Sequence, residues 1–328
     1  MSWITTSNLN IFVTLIKSSK KLPRLFVKIV NNFKSVVFTF FYYTLEVPWV
    51  SYNKYIVKNN LKRLKVQYPA IAPVELMDVK FLMYLKSKGS IEECVLKGEG
   101  GEKELLRIAD SFVKPETAII DIGANIGVFS LYFAKKHKDC RIYSYEPTTY
   151  AFECLKKSKE LNESDNLEVF KLAAGESSWQ GEIYSPTEKT YNKGLGSINF
   201  NADIEGNKTY VKEKIDVVSL DEHIGFDKNI SLIKIDVQGT ELSVLRGARK
   251  LIQKNKPAIL VEIDDSYYDR PREIRRSIKA LLTSAEGQDD YEFYRIKVGH
   301  VKRSYLFLEK LDLDEAERVS DDVLMVPK

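Results

Sequence analysis

The chain has 328 residues, 44% hydrophobic and 29% charged, with a formal net charge of +4, which excludes a disordered or fibrous protein and allows one large domain with an appendage, or two domains. Three cysteines and three histidines, none at zinc spacing, argue against a disulfide framework and a multi-histidine metal centre, and point to a reducing, cytoplasmic compartment. The charge is uneven: residues 1–65 carry eleven Lys/Arg against the single acid Glu46, a net of +10, which leaves −6 for the remainder.

In this basic head, apolar residues recur at helical spacings of three and four from Leu22 through Phe26, Ile29, Phe33 and Val37 to Phe41, with Lys21, Arg24, Lys28 and Lys34 between them. No apolar run approaches the ~20 residues of a spanning helix. A cleavable leader fits poorly, because basic residues follow the first apolar patch. The pattern predicts a basic amphipathic helix within residues 1–50. Such a helix either lies peripherally in a membrane interface or docks on protein.

Residues 66–116 read as a lead-in: a strand from Val79 to Leu85, a glycine turn at Gly98, Gly100 and Gly101, and a helix from Glu102 to Val113. From residue 117 to 328 apolar strands alternate with helical patterns. Strands are expected at 117–122, 141–146, 167–173, 231–237 and 257–263, and helices at 128–137, 149–161, 240–255 and 271–282. This alternation predicts a doubly wound, parallel α/β sheet. Late strands at 291–298, with a continuation through 305–309, and at 323–326 have no helix between them and predict an antiparallel edge. Residues 175–217 break the alternation with short β-like pieces at 182–184, 197–200 and 210–217. A β-rich insertion emerging beside the carboxyl ends of the third and fourth strands is either a substrate lid or a plain surface hairpin.

Four of the strands end in an acid. Ile119-Ile120-Asp121 runs into Ile122-Gly123-Ala124-Asn125-Ile126-Gly127 and then a helical pattern, the strand–tight loop–helix unit that holds nucleoside cofactors. Glu146 follows Asp121 by 25 positions, close to where an acid grips ribose hydroxyls in dinucleotide folds. Asp236, in Asp236-Val237-Gln238-Gly239, and Glu262 end the next two strands. A parallel sheet delivers all four carboxylates to one end.

These residues resemble the FkbM family of S-adenosylmethionine-dependent methyltransferases. The resemblance rests on Asp121 to Gly127, Glu146-Pro147, Asn192-Lys193-Gly194…Ser197, Leu220-Asp221, Lys234 to Glu241 with Leu245-Arg246-Gly247-Ala248, Val261-Glu262-Ile263 and Asp322 to Pro327. It covers about 117–327 and not the basic head. It implies a mostly parallel, seven-stranded Rossmann-like methyltransferase sheet that binds S-adenosylmethionine. It implies that Asp121 and the backbone of Gly123, Asn125 and Gly127 face the methionine moiety and ribose edge. By the same resemblance Glu146 holds the ribose hydroxyls, Ala173 and Ala174 flank the adenine, and Asp236, Glu241 and Glu262 line the acceptor side. The family usually has glutamate where this chain has Gln238, which keeps shape and hydrogen-bonding capacity but loses a charge. Acids suit a cationic sulfonium and would repel a pyrophosphate.

The implied reaction is O-methylation, here of a sugar, glycan or related small-molecule hydroxyl. Asp236 and Glu262 are the candidate bases, since neighbouring carboxylates push one pKa up. Asp236 could instead cap the following helix, and Glu262 could pair with Arg246 or Lys234. His223 and His300 are weaker candidates. Magnesium is allowed by the oxygen ligands but demanded by no spacing. No nucleic-acid recognition module is visible, so no nucleic-acid partner is expected. Two other classes stay open: a catalytically silent cofactor-binding module, which Gln238 would allow, and a nicotinamide-linked oxidoreductase, which the missing third glycine disfavours. For the head, removal of residues 1–60 is expected to release the protein from anionic vesicles while sparing cofactor binding. Co-sedimentation undiminished by that deletion contradicts an interfacial helix.

Overall fold

The computed structural model describes residues 66–97, 103–191, 210–225, 227–283, 290–301 and 303–328. The amphipathic head, the 98–101 glycine turn, the 192–197 motif, the β-like piece at 197–200 and the His300 side chain all lie outside the described residues.

The lead-in opens with an antiparallel hairpin, β1 (Ala70–Leu76) and β2 (Val79–Leu85), followed by helices α1 (Ser90–Lys97) and α2 (Lys103–Asp110). The alternating region contributes β3 (Ala118–Ile122), α3 (Val128–Lys136), β4 (Arg141–Tyr145), α4 (Thr149–Leu161) and β5 (Leu167–Phe170). The insertion holds β6 (Ala173–Ala174), β7 (Trp179–Pro186) and β8 (Tyr210–Val218). Then come β9 (Ile230–Ile235), α5 (Glu241–Gly247), α6 (Arg249–Asn255), β10 (Ala258–Asp264), α7 (Pro271–Leu281), β11 (Tyr291–Val301), β12 (Arg303–Lys310) and β13 (Ser320–Pro327). Pro271 starts α7 where its missing N–H costs nothing.

The main sheet runs β12-β11-β13-β10-β9-β3-β4-β5. The five strands from β10 to β5 are parallel, and β13, β11 and β12 add an antiparallel edge. The sheet is one strand wider than the seven expected, because the chain turns back after Val301 and β12 pairs as a separate hairpin arm. Every residue of β3 is buried, as befits a central parallel strand covered on both faces. Side-chain parity sorts the core into two layers. Ile119, Leu232, Leu260 and Leu324 face the hairpin, α3 and α4. Ile120, Ile233, Ile259 and Met325 face α5, α6 and α7.

Three features were not legible in the sequence pattern. The third strand stops at Phe170, and Ala173–Ala174 leaves the main sheet to pair with β8 in a separate sheet of order β6-β8-β7. The helix expected over 240–255 is broken at Ala248, which separates α5 from α6. At the end of α5 a β-carbon on Gly247 would lie 1.8 Å from the carbonyl oxygen of Gly175, so the helix packs directly on the insertion's backbone. The lead-in is also more than a connector, since Val74, Phe81 and Met83 share a core with Leu131, Phe133 and Leu155. Among the described residues no helix is long and apolar enough to cross a membrane, and all three cysteines are free.

The hairpin is latched to the sheet by α4. The buried Asn162 side chain accepts from the Leu82 N–H (2.9 Å) and donates to the Leu82 carbonyl (2.6 Å), while Ser158 Oγ accepts from the Tyr84 N–H (2.8 Å). These bonds satisfy an edge strand that would otherwise bury unpaired backbone groups. Asn162→Ala leaves both Leu82 groups without partners and is expected to lower stability by roughly 2–4 kcal/mol. Urea denaturation followed by circular dichroism measures this, and an unchanged midpoint contradicts the latch.

Candidate active site

The turn after β3 is built around a missing side chain. Gly123 has φ +76°, and a β-carbon there would sit 1.8 Å from the Asp236 carbonyl oxygen. The Gly123 and Ala124 N–H groups both donate to the Tyr145 carbonyl at 3.0 Å, fastening the turn to the end of β4. Asn125 takes φ +51°, a region asparagine tolerates because its side chain bonds locally; here its Oδ1 accepts from the Ile126 N–H at 2.8 Å. The Asn125 N–H donates to Glu146 Oε2 (2.9 Å), and Glu146 Oε1 accepts from the Thr148 N–H (2.9 Å) and hydroxyl (2.6 Å). A carboxylate offers about four acceptor positions, so Glu146 is oriented by three bonds and keeps acceptor capacity. Burial pushes its carboxyl up from the ordinary range, against the pull of the Thr148 and Asn125 donors.

These tips open onto a cavity of about 330 Å³ at the carboxyl ends of the parallel strands. Ile122, Gly123 and Asn125 line it in the middle. On the β4 and β5 side stand Glu146, Thr148, Ala151, Leu172, Ala173 and Ala174, joined by Ile183 from the insertion and Ile91 from the lead-in. On the β9 and β10 side stand Asp236, Val237, Gln238, Thr240, Glu262 and Tyr267. One half is thus an apolar slot with a single acid, and the other is polar and acidic.

The cavity brings together seven of the residues singled out from the sequence: Gly123, Asn125, Glu146, Ala173, Ala174, Asp236 and Glu262. Asp121, Gly127 and Glu241 are not among the lining residues. Asp121 is fully buried behind the turn. It accepts from the Ser130 hydroxyl, which also bonds Ser144 (2.7 Å), and its other oxygen lies 3.8 Å from Lys234 Nζ. Burial pushes the Asp121 carboxyl up, and Lys234 and Ser130 pull it back. Gly127 caps α3 and packs on Leu155. Glu241, expected on the acceptor side, is buried beneath it: its carboxylate accepts from the Gly239 N–H (2.9 Å) and the Tyr268 hydroxyl, closing the turn after β9. Gln238, at φ +55° in that turn, is among the residues lining the cavity.

At the acidic half, Asp236 pairs with Lys234 at 3.2 Å and leaves the cap of α5 without a side-chain bond. Glu262 is hydrogen-bonded to Asp236 and pushed up to about 8, first by burial and then by the charges of Asp236 and Asp322, with Lys234 opposing. Asp322 sits directly across from Glu262 in the β10–β13 ladder, an arrangement that disfavours two like charges. Arg246 pairs instead with Glu176 at 3.2 Å, so it does not neutralise Glu262. Tyr267, 37% exposed, stands at the mouth. His223 does not line the cavity; its Nδ1 meets the Tyr145 hydroxyl at 2.8 Å.

Lys234 pairs with Asp236, and Glu262 is hydrogen-bonded to Asp236. Among the described residues His137, Asp139 and Cys140 bring ligand atoms within 4.8 Å of one another, and none of the three lines the cavity. The Cys140 thiol points to the Lys114 carbonyl at 3.4 Å and burial pushes its pKa up, which makes it a poor ligand.

The sequence profile of the Methyltransferase FkbM domain matches residues 121–293, more than half of the chain. The chain belongs to this FkbM methyltransferase family. It is 27% identical over 192 residues to Methyltransferase sdnD of Sordaria araneosa, covering 50% of this chain and 71% of that protein. It is 25% identical over 229 residues to Hexuronic acid methyltransferase AglP of Haloferax volcanii, covering 69% and 86%. Among solved structures it resembles Methyltransferase FkbM from Methylobacillus flagellatus KT at 18% identity and a TM-score of 0.38, covering 72% of this chain and about half, 52%, of that one. The protein is therefore a methyltransferase, and the nicotinamide-linked alternative is set aside.

The raised Glu262 pKa has a consequence for stability. Between its ordinary 4.5 and about 8, the folded state holds a proton that the unfolded state has released, so stability falls with rising pH across that window and levels off above it. Glu262→Gln, which stays neutral, is expected to flatten the pH–stability curve from about pH 5 to pH 8 and to be more stable than the parent at pH 8. Urea midpoints across that range test it, and parallel curves for the two proteins contradict a retained proton.

Proposed function

We propose that this methyltransferase transfers a methyl group from S-adenosylmethionine to a hydroxyl of a sugar, glycan or related small molecule. The observation that carries the reading is the division of one cavity into an apolar slot beside Glu146 and a carboxylate pair at Asp236 and Glu262, meeting at Gly123. The slot between Ala151, Leu172, Ala173, Ala174 and Ile183 suits a flat adenine, and the spare acceptor capacity of Glu146 suits a ribose diol. The negative surroundings suit a cation. The name of the Haloferax relative, a hexuronic acid methyltransferase, supports a sugar acceptor.

When bound, the cofactor supplies a sulfonium-borne methyl group already activated toward displacement. The protein's work is then alignment and proton removal. The turn at Gly123 lets donor and acceptor approach without an intervening side chain, and such orientation can contribute ~7–11 kcal/mol. Asp236, at the cavity and paired with Lys234, would accept the hydroxyl proton as the oxygen–carbon bond forms and the sulfur–methyl bond breaks to leave a neutral thioether, a step that contributes ~10² to 10⁴-fold. Gln238 retains the hydrogen-bonding shape of the family's glutamate without adding a third charge. The basic head, by its composition, would bring the enzyme to membrane-borne acceptors.

Incubation with labelled cofactor and a panel of sugars, glycolipids and RNA is expected to show methylation of a sugar hydroxyl, whereas transfer to RNA alone overturns the reading. Asp236→Asn is expected to lower kcat by about 10² to 10⁴ while binding S-adenosylhomocysteine as the parent does. Cofactor binding with no turnover on any acceptor would instead favour a silent module.

A further inference from the structure

We propose that Tyr267 is the residue that reads the methyl acceptor: its ring forms a platform at the cavity mouth on which the C–H face of a pyranose stacks, with the sugar's hydroxyls turned toward Asp236 and Glu262. This rests on the methyl-transfer reading given above and narrows its acceptor to a sugar in ring form.

The segment that carries Tyr267 is built to hold still. It is a single helical turn, Asp265–Tyr267, directly after β10. At its start the Asp264 carboxylate accepts from the Ser266 N–H at 2.8 Å. Asp265 is fixed from several sides: its N–H donates to the Val319 carbonyl (2.9 Å), and its carboxylate accepts from the Val319 N–H (3.0 Å) and pairs with the buried Arg275 guanidinium. Arg275 in turn donates to the carbonyls of Leu313 (3.1 Å) and Ala316 (2.6 Å). Just past the turn, the Tyr268 hydroxyl donates to Glu241, which also accepts from the Gly239 N–H (2.9 Å) after β9. The chain is thus pinned on both sides of Tyr267, to the β13 side through Asp265 and to the turn after β9 through Tyr268.

The two adjacent tyrosines are used differently. Tyr268 commits its hydroxyl to Glu241, whereas among the described residues the Tyr267 hydroxyl makes no hydrogen bond, and Tyr267 is 37% exposed. A large ring fixed in place yet left partly in water adds little to folding, because the apolar area it keeps exposed is area not buried. It is, however, already in the position that a ligand needs, so binding orders no further side chain. Tyr267 lines the same wall of the cavity as Asp236 and Glu262. The face of an aromatic ring is negative and draws weakly positive C–H groups, while carboxylates accept hydrogen bonds from hydroxyls. A pyranose offers both complements at once, an apolar C–H face and a rim of hydroxyl donors. An open-chain polyol has the donors without the face, and a flat phenol has the face with few donors.

The ring's own NMR signal provides the test. In full-length protein loaded with S-adenosylhomocysteine and carrying ring-¹³C tyrosine, the resonance lost in Tyr267→Leu is followed as methyl β-D-glucopyranoside, the open-chain hexitol glucitol, or catechol is added. The pyranoside is expected to shift that resonance saturably, at a concentration roughly tenfold below any effect of glucitol. A response to catechol alone, or one no stronger with the pyranoside than with glucitol, overturns the platform. With the sugar that the labelled-transfer panel identifies, Tyr267→Ala is expected to raise KM roughly tenfold, more than it lowers kcat. Tyr267→Phe, which keeps the ring, is expected to stay within about threefold of the parent KM, and both variants keep their affinity for S-adenosylhomocysteine. A KM unchanged in Tyr267→Ala overturns the assignment, and so does a parallel loss of S-adenosylhomocysteine affinity, which would make Tyr267 a structural residue of the turn. Failure of the methyl-transfer reading is seen separately, as absence of labelled transfer by the parent enzyme.

Discussion

The turn after β3 passes so close to the carbonyl of Asp236 that a β-carbon at position 123 would sit 1.8 Å from its oxygen, and both halves of the cavity depend on that contact. It brings the end of β9 against the first turn of the β3–α3 unit and puts the Glu146 side and the Asp236 side within reach of one bound molecule. The parallel register of β4, β3, β9 and β10 does the rest, because it carries each strand's terminal residue to the same end of the sheet. The acids are then sorted by burial. Asp121 and Glu241 sink behind the surface and hold turns together, whereas Glu146, Asp236 and Glu262 stay at the cavity.

Crowding of carboxylates in a partly dry pocket has a cost that the protein meets in two ways. Asp236 has a lysine beside it, and Glu262 keeps a proton into the neutral range. In the proposed reaction the same two acids line the acceptor end of the cavity. Strain on this part of the fold and the proposed chemistry are therefore two readings of one electrostatic arrangement.

The parallel core was legible because its signals are local. Continuous apolar strands such as Ala118–Ile122 and the helix after Pro271 fall where periodicity and helix-start residues put them. The acids at strand ends could be grouped because parallel order needs no knowledge of side-chain detail. What stayed hidden depends on long-range packing. Whether an acid faces the cavity or the interior is decided by partners far along the chain, Ser130 for Asp121 and Tyr268 for Glu241. The break at Ala248 lies beside the close approach of Gly247 to Gly175, and the early hairpin is held by Asn162, eighty positions from Leu82. Ile91 and Tyr267 reach the cavity from segments whose composition carried no sign of it. Lys234, a candidate partner for Glu262 by sequence, makes ion pairs with Asp121 and Asp236.

The central claim is that one cavity at the carboxyl ends of β4, β3, β9 and β10 holds the methyl donor and presents it to the Asp236–Glu262 pair. A crystal structure with S-adenosylhomocysteine bound tests this most directly. The account predicts ribose hydroxyls on Glu146, adenine against Ala173 and Ala174, and the sulfur directed toward Asp236. A ligand seated elsewhere, or one whose sulfur points away from the two acids, would contradict it.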